Sequence, residues 1–209
     1  MTVAIIDYGS GNLRSVAKAF ESVAGGFIPV QLTRSPDDIA TASHVVLPGV
    51  GAFADCMAGL KALPGMLQIL QEEVVQRKKP FLGICVGMQM LFEHGHEHGV
   101  HAGLGWLKGE VVALKPSDAS LKIPHMGWND LQITGKHPLL KGIKTSEHAY
   151  FVHSYHAQCR DNSEVLATVS YGQTITAVVG RDNIMGTQFH PEKSQETGLK
   201  LLKNFIGLR

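Results

Sequence analysis

Apolar positions along the chain fall into two textures. Over roughly the first half, short unbroken apolar runs alternate with stretches of helical period. Residues 3–8, 44–47 and 81–84 are the runs, the last read as a buried strand, and residues 29–33, broken by Gln31, read as a further short strand. Helical period dominates residues 13–24, 52–63 and 65–77, the last two separated by Pro64-Gly65. Ser35-Pro36-Asp37-Asp38 marks a further brief helix, with proline and acids in its first turn. After Trp106 the texture turns β-like. Residues 108–114, 131–134, 148–155, 165–171 and 174–179 are β-branched or aromatic and bounded by turn residues. Residues 199–208 close the chain as a helix. Strand, turn and helix in alternation predict an α/β fold: a mixed, largely parallel sheet flanked by helices, with a β-rich second half. The longest polar interruption, residues 115–120, is too short for a linker, so residues 1–209 are expected to form a single domain.

Composition narrows the class. A hydrophobic content of 44% suits a globule, and no apolar run approaches the ~20 residues of a membrane span. The opening Met-Thr-Val-Ala-Ile-Ile-Asp lacks the basic flank and cleavage pattern of a signal peptide. Three widely spaced cysteines (Cys56, Cys85, Cys159) without a Cys-x-x-Cys argue against a disulfide framework or zinc ribbon and for a reducing, cytoplasmic setting. A net charge of +1 leaves no footprint for nucleic acid, and Arg77-Lys78-Lys79 reads as a solvated helix end. The turn Gly9-Ser10-Gly11-Asn12 follows the first run, but Arg14 stands where a dinucleotide-binding turn needs its third glycine. Four histidines crowd residues 94–101, a density that could chelate a metal. Glycines interrupt the run and no partner ligands stand out, so it is read as a solvated loop. No metal and no cofactor are expected.

The candidate chemistry centres on Gly83-Ile84-Cys85-Val86-Gly87. A buried run enters it, and a helix carrying Met88, Leu91 and Phe92 on one side is expected to leave it. Strand, tight turn and helix with flanking glycines make a nucleophile elbow, here with cysteine in place of serine. The turn forces the nucleophile into strained angles and leaves its neighbours no room for Cβ atoms. At a helix N-terminus the thiolate is favoured, and Gln89 projects from the same helix face. A buried cysteine is otherwise only a small hydrophobe, so partners are needed. Elbow enzymes take one oxyanion N–H from the residue after the nucleophile, here Val86. They take another from a loop after an earlier strand, here Gly49-Val50-Gly51. Of eleven histidines, His190 in Gln188-Phe189-His190-Pro191-Glu192 has a carboxylate two residues on, on the same side of an extended chain. Pro191 keeps His190 out of the helical region. These residues alone leave open a cysteine hydrolase, a peptidase or a silent scaffold.

Phe189-His190-Pro191-Glu192, the elbow with Gln89, and Pro48-Gly49-Val50-Gly51 together resemble the triad, or class I, glutamine amidotransferases, whose fold is flavodoxin-like. Asp7-Tyr8-Gly9-Ser10-Gly11-Asn12-Leu13 and Pro124-His125-Met126-Gly127-Trp128-Asn129 are similar to the glutaminase subunits of imidazole glycerol phosphate synthases in histidine biosynthesis. Val86 departs from the family's common leucine. The resemblance implies Cys85 as nucleophile, His190 as general base then acid, and Glu192 as the carboxylate orienting it. It implies Gln89 and Glu97 as contacts of substrate glutamine, with His153-Ser154-Tyr155 holding its amino-acid end. It further implies a heterodimer in which ammonia passes to a (β/α)8-barrel cyclase subunit. Asn12, the hexad 124–129 and Lys193 are expected at that contact. Glutaminases of other synthases, such as the one making pyridoxal phosphate, share the triad; the hexad favours the histidine pathway.

Overall fold

In the computed structural model, which describes residues 1–9 and 11–209, the early apolar runs form strands β1 (Val3–Ile6), β2 (Val30–Thr33), β3 (His44–Gly49) and β4 (Phe81–Cys85). Ser10, inside the glycine turn, lies outside the described residues. Helices α1 (Leu13–Ala24), α2 (Pro36–Thr41), α3 (Phe53–Lys61) and α4 (Met66–Leu70) connect them. The Ser35 hydroxyl accepts from the Asp37 N–H and caps α2. The period over residues 65–77 is met only partly by α4, whose continuation Gln71–Gln76 is wound in π-helical geometry. The β-rich half supplies β5 (His94–Gly95), β6 (His101–Ala102), β7 (Gly109–Ala113), β8 (His125–Asp130), β9 (Gln132–Ile133), β10 (His148–His153) and β11 (Tyr155–Cys159). It ends with β12 (Val165–Ser170), β13 (Thr174–Arg181) and β14 (Ile184–Thr187).

The main sheet runs β2-β1-β3-β4-β14-β13-β12-β9. Its first five strands are parallel and the rest antiparallel. Every residue of β1, β3, β4 and β14 is buried, which is why these segments read as continuous apolar runs rather than alternating ones. The parallel portion has the flavodoxin-like order, which places sites outside the carboxyl ends of its strands. α1 packs against the closing helix α6 (Gln195–Ile206), Phe20 meeting Phe205 edge to face. None of the described helices is long and apolar enough to cross a membrane.

Two local expectations give way. The elbow helix α5 spans only Val86–Gln89. The carbonyls of Met90, Leu91 and Phe92 accept from the amides of Leu104, Leu107 and Gly105, so the returning chain takes the acceptors a longer helix would need. The histidine-rich stretch is a hairpin rather than a plain loop. β5 pairs with β6 and, in parallel, with β7, at the edge of the four-stranded sheet β11-β7-β5-β6. His96 spends its ring on Glu110, 2.9 Å away, and among the described residues no three His, Cys, Asp or Glu side chains converge as a metal site requires.

Packing at the elbow leaves no slack. A Cβ on Gly83 would lie 2.5 Å from the Gly87 carbonyl oxygen, and one on Gly87 only 1.8 Å from that of Leu47. Gly87→Ala must therefore separate α5 from β3. It is expected to destabilise the fold by about 3 kcal/mol or more, the upper end of overpacking. Urea unfolding checks this: the midpoint falls at unchanged slope, and an unchanged midpoint would show the contact to be yielding.

Candidate active site

Three strand ends meet at the carboxyl edge of the sheet. β4 ends on Cys85, whose backbone (φ 54°, ψ −111°) lies where L-residues seldom go. β3 ends on Gly49, the register partner of Cys85, so Val50 and Gly51 leave the sheet beside the thiol. In β14, Thr187 pairs with Ile84, and the chain continues through Gln188 and Phe189 to His190. Strand pairing thus closes the 105 positions between cysteine and histidine.

His190 Nδ1 lies 2.8 Å from Glu192 Oε1 and, facing a carboxylate, carries the proton. Residue 190 is extended (φ −95°, ψ 100°), as expected, but Pro191–Lys193 form a 3₁₀ turn, and this turn rather than an extended chain brings Glu192 back to the ring. The same Oε1 accepts from Asn12 Nδ2 at 3.3 Å, so Asn12, expected at a partner surface, also braces this carboxylate. Burial works against charging the His190 ring, but the Cys85 sulfur and the Glu192 carboxylate outweigh it and push the pKa up to about 9. The sulfur favours the imidazolium without completing a hydrogen bond, for Nε2 has no partner. That nitrogen, protonated in the imidazolium, is thus free to give its proton to a bound group and later to take one back.

A cavity of about 300 Å³ opens over the thiol, lined among others by Val50, Gly51, Cys85, Val86, Gln89, Glu97, His153, Ser154, Tyr155 and His190. Gly49 stands beside it at the end of β3. A wider groove of about 740 Å³, between Trp128 and the start of α6, is lined by no cysteine. Inside the cavity Gln89 Nε2 is committed to Tyr155 O (3.0 Å) and Gln188 Oε1 (3.1 Å), which leaves its carbonyl oxygen as the group able to meet a ligand. Gln188 Nε2 in turn donates to Cys85 Sγ at 3.7 Å. Sequence reasoning assigned Gln188 nothing. Its position two before His190 on a strand, hence on the same face, was the available signal.

A cysteine on a strained strand end, an imidazole held by a carboxylate and a cavity over both can support acyl transfer through a thioester. The profile of the family described as Glutamine amidotransferase class-I matches residues 4–208. The chain belongs to that family. It is 57% identical to the imidazole glycerol phosphate synthase subunit HisH of Agrobacterium fabrum, over 99% of this chain and 98% of the relative. It is 54% identical to the protein of the same name from Rhodospirillum rubrum, with the same coverage. Among solved structures, one described as a glutamine amidotransferase superposes with a TM-score of 0.74 at 18% identity, covering 99% of both chains. A Thermotoga maritima glutamine amidotransferase gives 0.71 at 17%, covering 99% and 96%. At such identities they speak for the fold alone.

In this amidotransferase the hexad 124–129 is split between two environments. β8 pairs antiparallel with β10 as a separate two-stranded ribbon, so its side chains alternate. Met126 and Trp128 are 61% and 48% exposed, whereas His125, expected at a partner surface, is buried. The His125 ring stacks between Phe151 and Tyr171, and its Nδ1 lies 2.9 Å from His153 Nε2. His153 Nδ1 faces Tyr155 O at 2.9 Å and must donate. Its Nε2 therefore accepts from His125, whose own Nε2 accepts from Asn129 Nδ2 at 3.1 Å. Lys193 is exposed, its Nζ 5.8 Å from the centre of the Tyr150 ring. The charge of His190 is directly testable. Imidazole ¹⁵N NMR should give a midpoint near 9, moving toward or below 6.5 in Cys85→Ala and in Glu192→Gln. Midpoints that stay put in both variants would refute the assigned causes.

Proposed function

We propose that the chain is the glutaminase subunit of an imidazole glycerol phosphate synthase, acting in the cytoplasm in histidine biosynthesis. On this reading it hydrolyses glutamine to glutamate and ammonia and hands the ammonia to a (β/α)8-barrel cyclase partner in a heterodimer. The observation that carries it is the convergence of Cys85, His190 and Glu192 around one cavity in a chain so close to the HisH proteins. All 209 residues would act as one amidotransferase domain.

The chemistry follows from the geometry. The Cys85 sulfur adds to the side-chain amide carbon of glutamine, and the C=O electron pair moves onto oxygen. The Val86 N–H and a peptide N–H from residues 49–51 stabilise that oxyanion, each such donor worth ~10²–10³ in rate. The protonated His190 ring delivers its Nε2 proton to the amide nitrogen, the C–N bond breaks and ammonia leaves. Water, losing a proton to the same nitrogen, then cleaves the thioester to glutamate. Glu192 keeps the ring's proton on Nδ1 throughout. The Gln89 carbonyl oxygen, Glu97 and the segment 153–155 would hold the amino-acid end, and Gln188 would steady the sulfur between turnovers. Ammonia released into bulk water would be protonated and lost, so a dry passage to a partner is needed. Met126 and Trp128, with the half-exposed Ile123, form the apolar surface on which a partner would seat, with Asn12 and Lys193 at its margin.

The test uses the complex with its cyclase barrel. Cys85→Ser should lower glutamine-dependent synthesis by at least ~10³-fold while synthesis from added ammonium salts continues at the parental rate. Loss of both would mean that Cys85 serves the structure and not the chemistry.

A further inference from the structure

The hairpin β5–β6 contributes nothing to the triad, yet it reaches the loop that follows β3. Glu97, between the two strands, accepts a hydrogen bond through Oε2 from the backbone N–H of Phe53 at 2.8 Å. Phe53 is the first residue of α3, and the residue before it, Ala52, offers no capping side chain. The first turn of a helix presents N–H groups with no intrahelical acceptor, and an adjacent Ser, Thr, Asp or Asn normally satisfies one. Here the oxygen comes from a carboxylate 44 positions away, favoured also by the positive end of the helix. The hairpin grips the same residue a second time. A Cβ on Gly95 would fall 2.6 Å from the Phe53 ring, and one on Gly103 3.3 Å from its tip. Phe53 is therefore held by its amide and by its ring, immediately downstream of Val50 and Gly51. Glu97 also lines the cavity over Cys85 and keeps a second carboxylate oxygen.

We propose that Glu97 is a positioning residue for the loop at residues 49–51. One oxygen pins the loop's downstream end where it enters α3, and the other meets the α-ammonium group of glutamine. A bound ammonium holds the carboxylate still, so occupancy of the substrate site steadies the loop that must aim an N–H at the oxyanion. By linkage, a steadied loop strengthens substrate binding by the same factor. The pinning stands on geometry alone, whereas its coupling to substrate rests on the glutaminase reading.

Two variants separate the functions. Glu97→Gln keeps an oxygen that can accept from Phe53 but loses the charge; Glu97→Ala loses both. In the isolated chain, hydrogen exchange of the Phe53 amide should be about fivefold or more faster in Glu97→Ala and near parental in Glu97→Gln, with amides of β1 unchanged in both. In the complex with the barrel partner, both variants should raise KM for glutamine by about tenfold or more. Only Glu97→Ala should also lower kcat, by about fivefold or more. Parental exchange at Phe53 in Glu97→Ala, or equal kcat in the two variants, overturns the proposal. A parent complex that releases no glutamate would sink the glutaminase reading instead, and the exchange measurement would still decide the pinning.

Discussion

The interaction on which this structure depends is the contact between the backbone of β3 and the turn at the end of β4. With φ 54° and ψ −111°, Cys85 occupies a region costing of order 1–3 kcal/mol, and such a conformation persists only when its surroundings over-determine it. The surroundings are visible. Gly49 pairs with Cys85, Thr187 pairs with Ile84, and the Gly87 backbone lies directly against the Leu47 carbonyl. The same contact sets the thiol beside the loop at residues 49–51 and brings the chain after β14 alongside it. Strain at the cysteine and assembly of the site are thus one event.

Buried imidazoles near the cavity diverge because of what faces them. His125 falls to about 4 through burial. His153 falls to about 3, chiefly through burial, against an opposing pull from the Tyr155 carbonyl. His190 is buried as well but rises to about 9, because the Cys85 sulfur and Glu192 carboxylate lie beside it. Desolvation alone favours the neutral ring, and only close anionic partners reverse it. The sign for stability follows. The contribution from charging His190 is complete below its ordinary value near 6.5 and is lost as pH rises through 9.

The ribbon of β8 and β10 joins two environments. Its outward side chains, Met126 and Trp128, are exposed, while His125 on the other face is bonded to His153, which lines the cavity. Whatever seats on the apolar side is one pair of buried rings away from the cavity over Cys85. Asn12 makes a similar bridge from the first loop to Glu192.

Much was legible in the chain itself. Continuous apolar runs marked the doubly buried parallel strands, and the helical period over residues 13–24 matched α1 end to end. The glycines about Cys85 announced a turn with no room for side chains, and Pro191 announced an extended histidine. These signals are local, because backbone sterics and periodicity act over a few residues. What the chain could not disclose depends on atoms far away in sequence. The elbow helix is short because residues 104–107 claim its acceptors, and the histidine-rich stretch is a hairpin because β7 lies ready to pair with it. Gln188 points at the sulfur, Gln89 spends its amide nitrogen on neighbours, and Glu97 caps a helix 44 positions upstream, all through contacts that exist only once the sheet has closed. Local sterics wrote the elements, and long-range hydrogen bonding decided what the side chains between them touch.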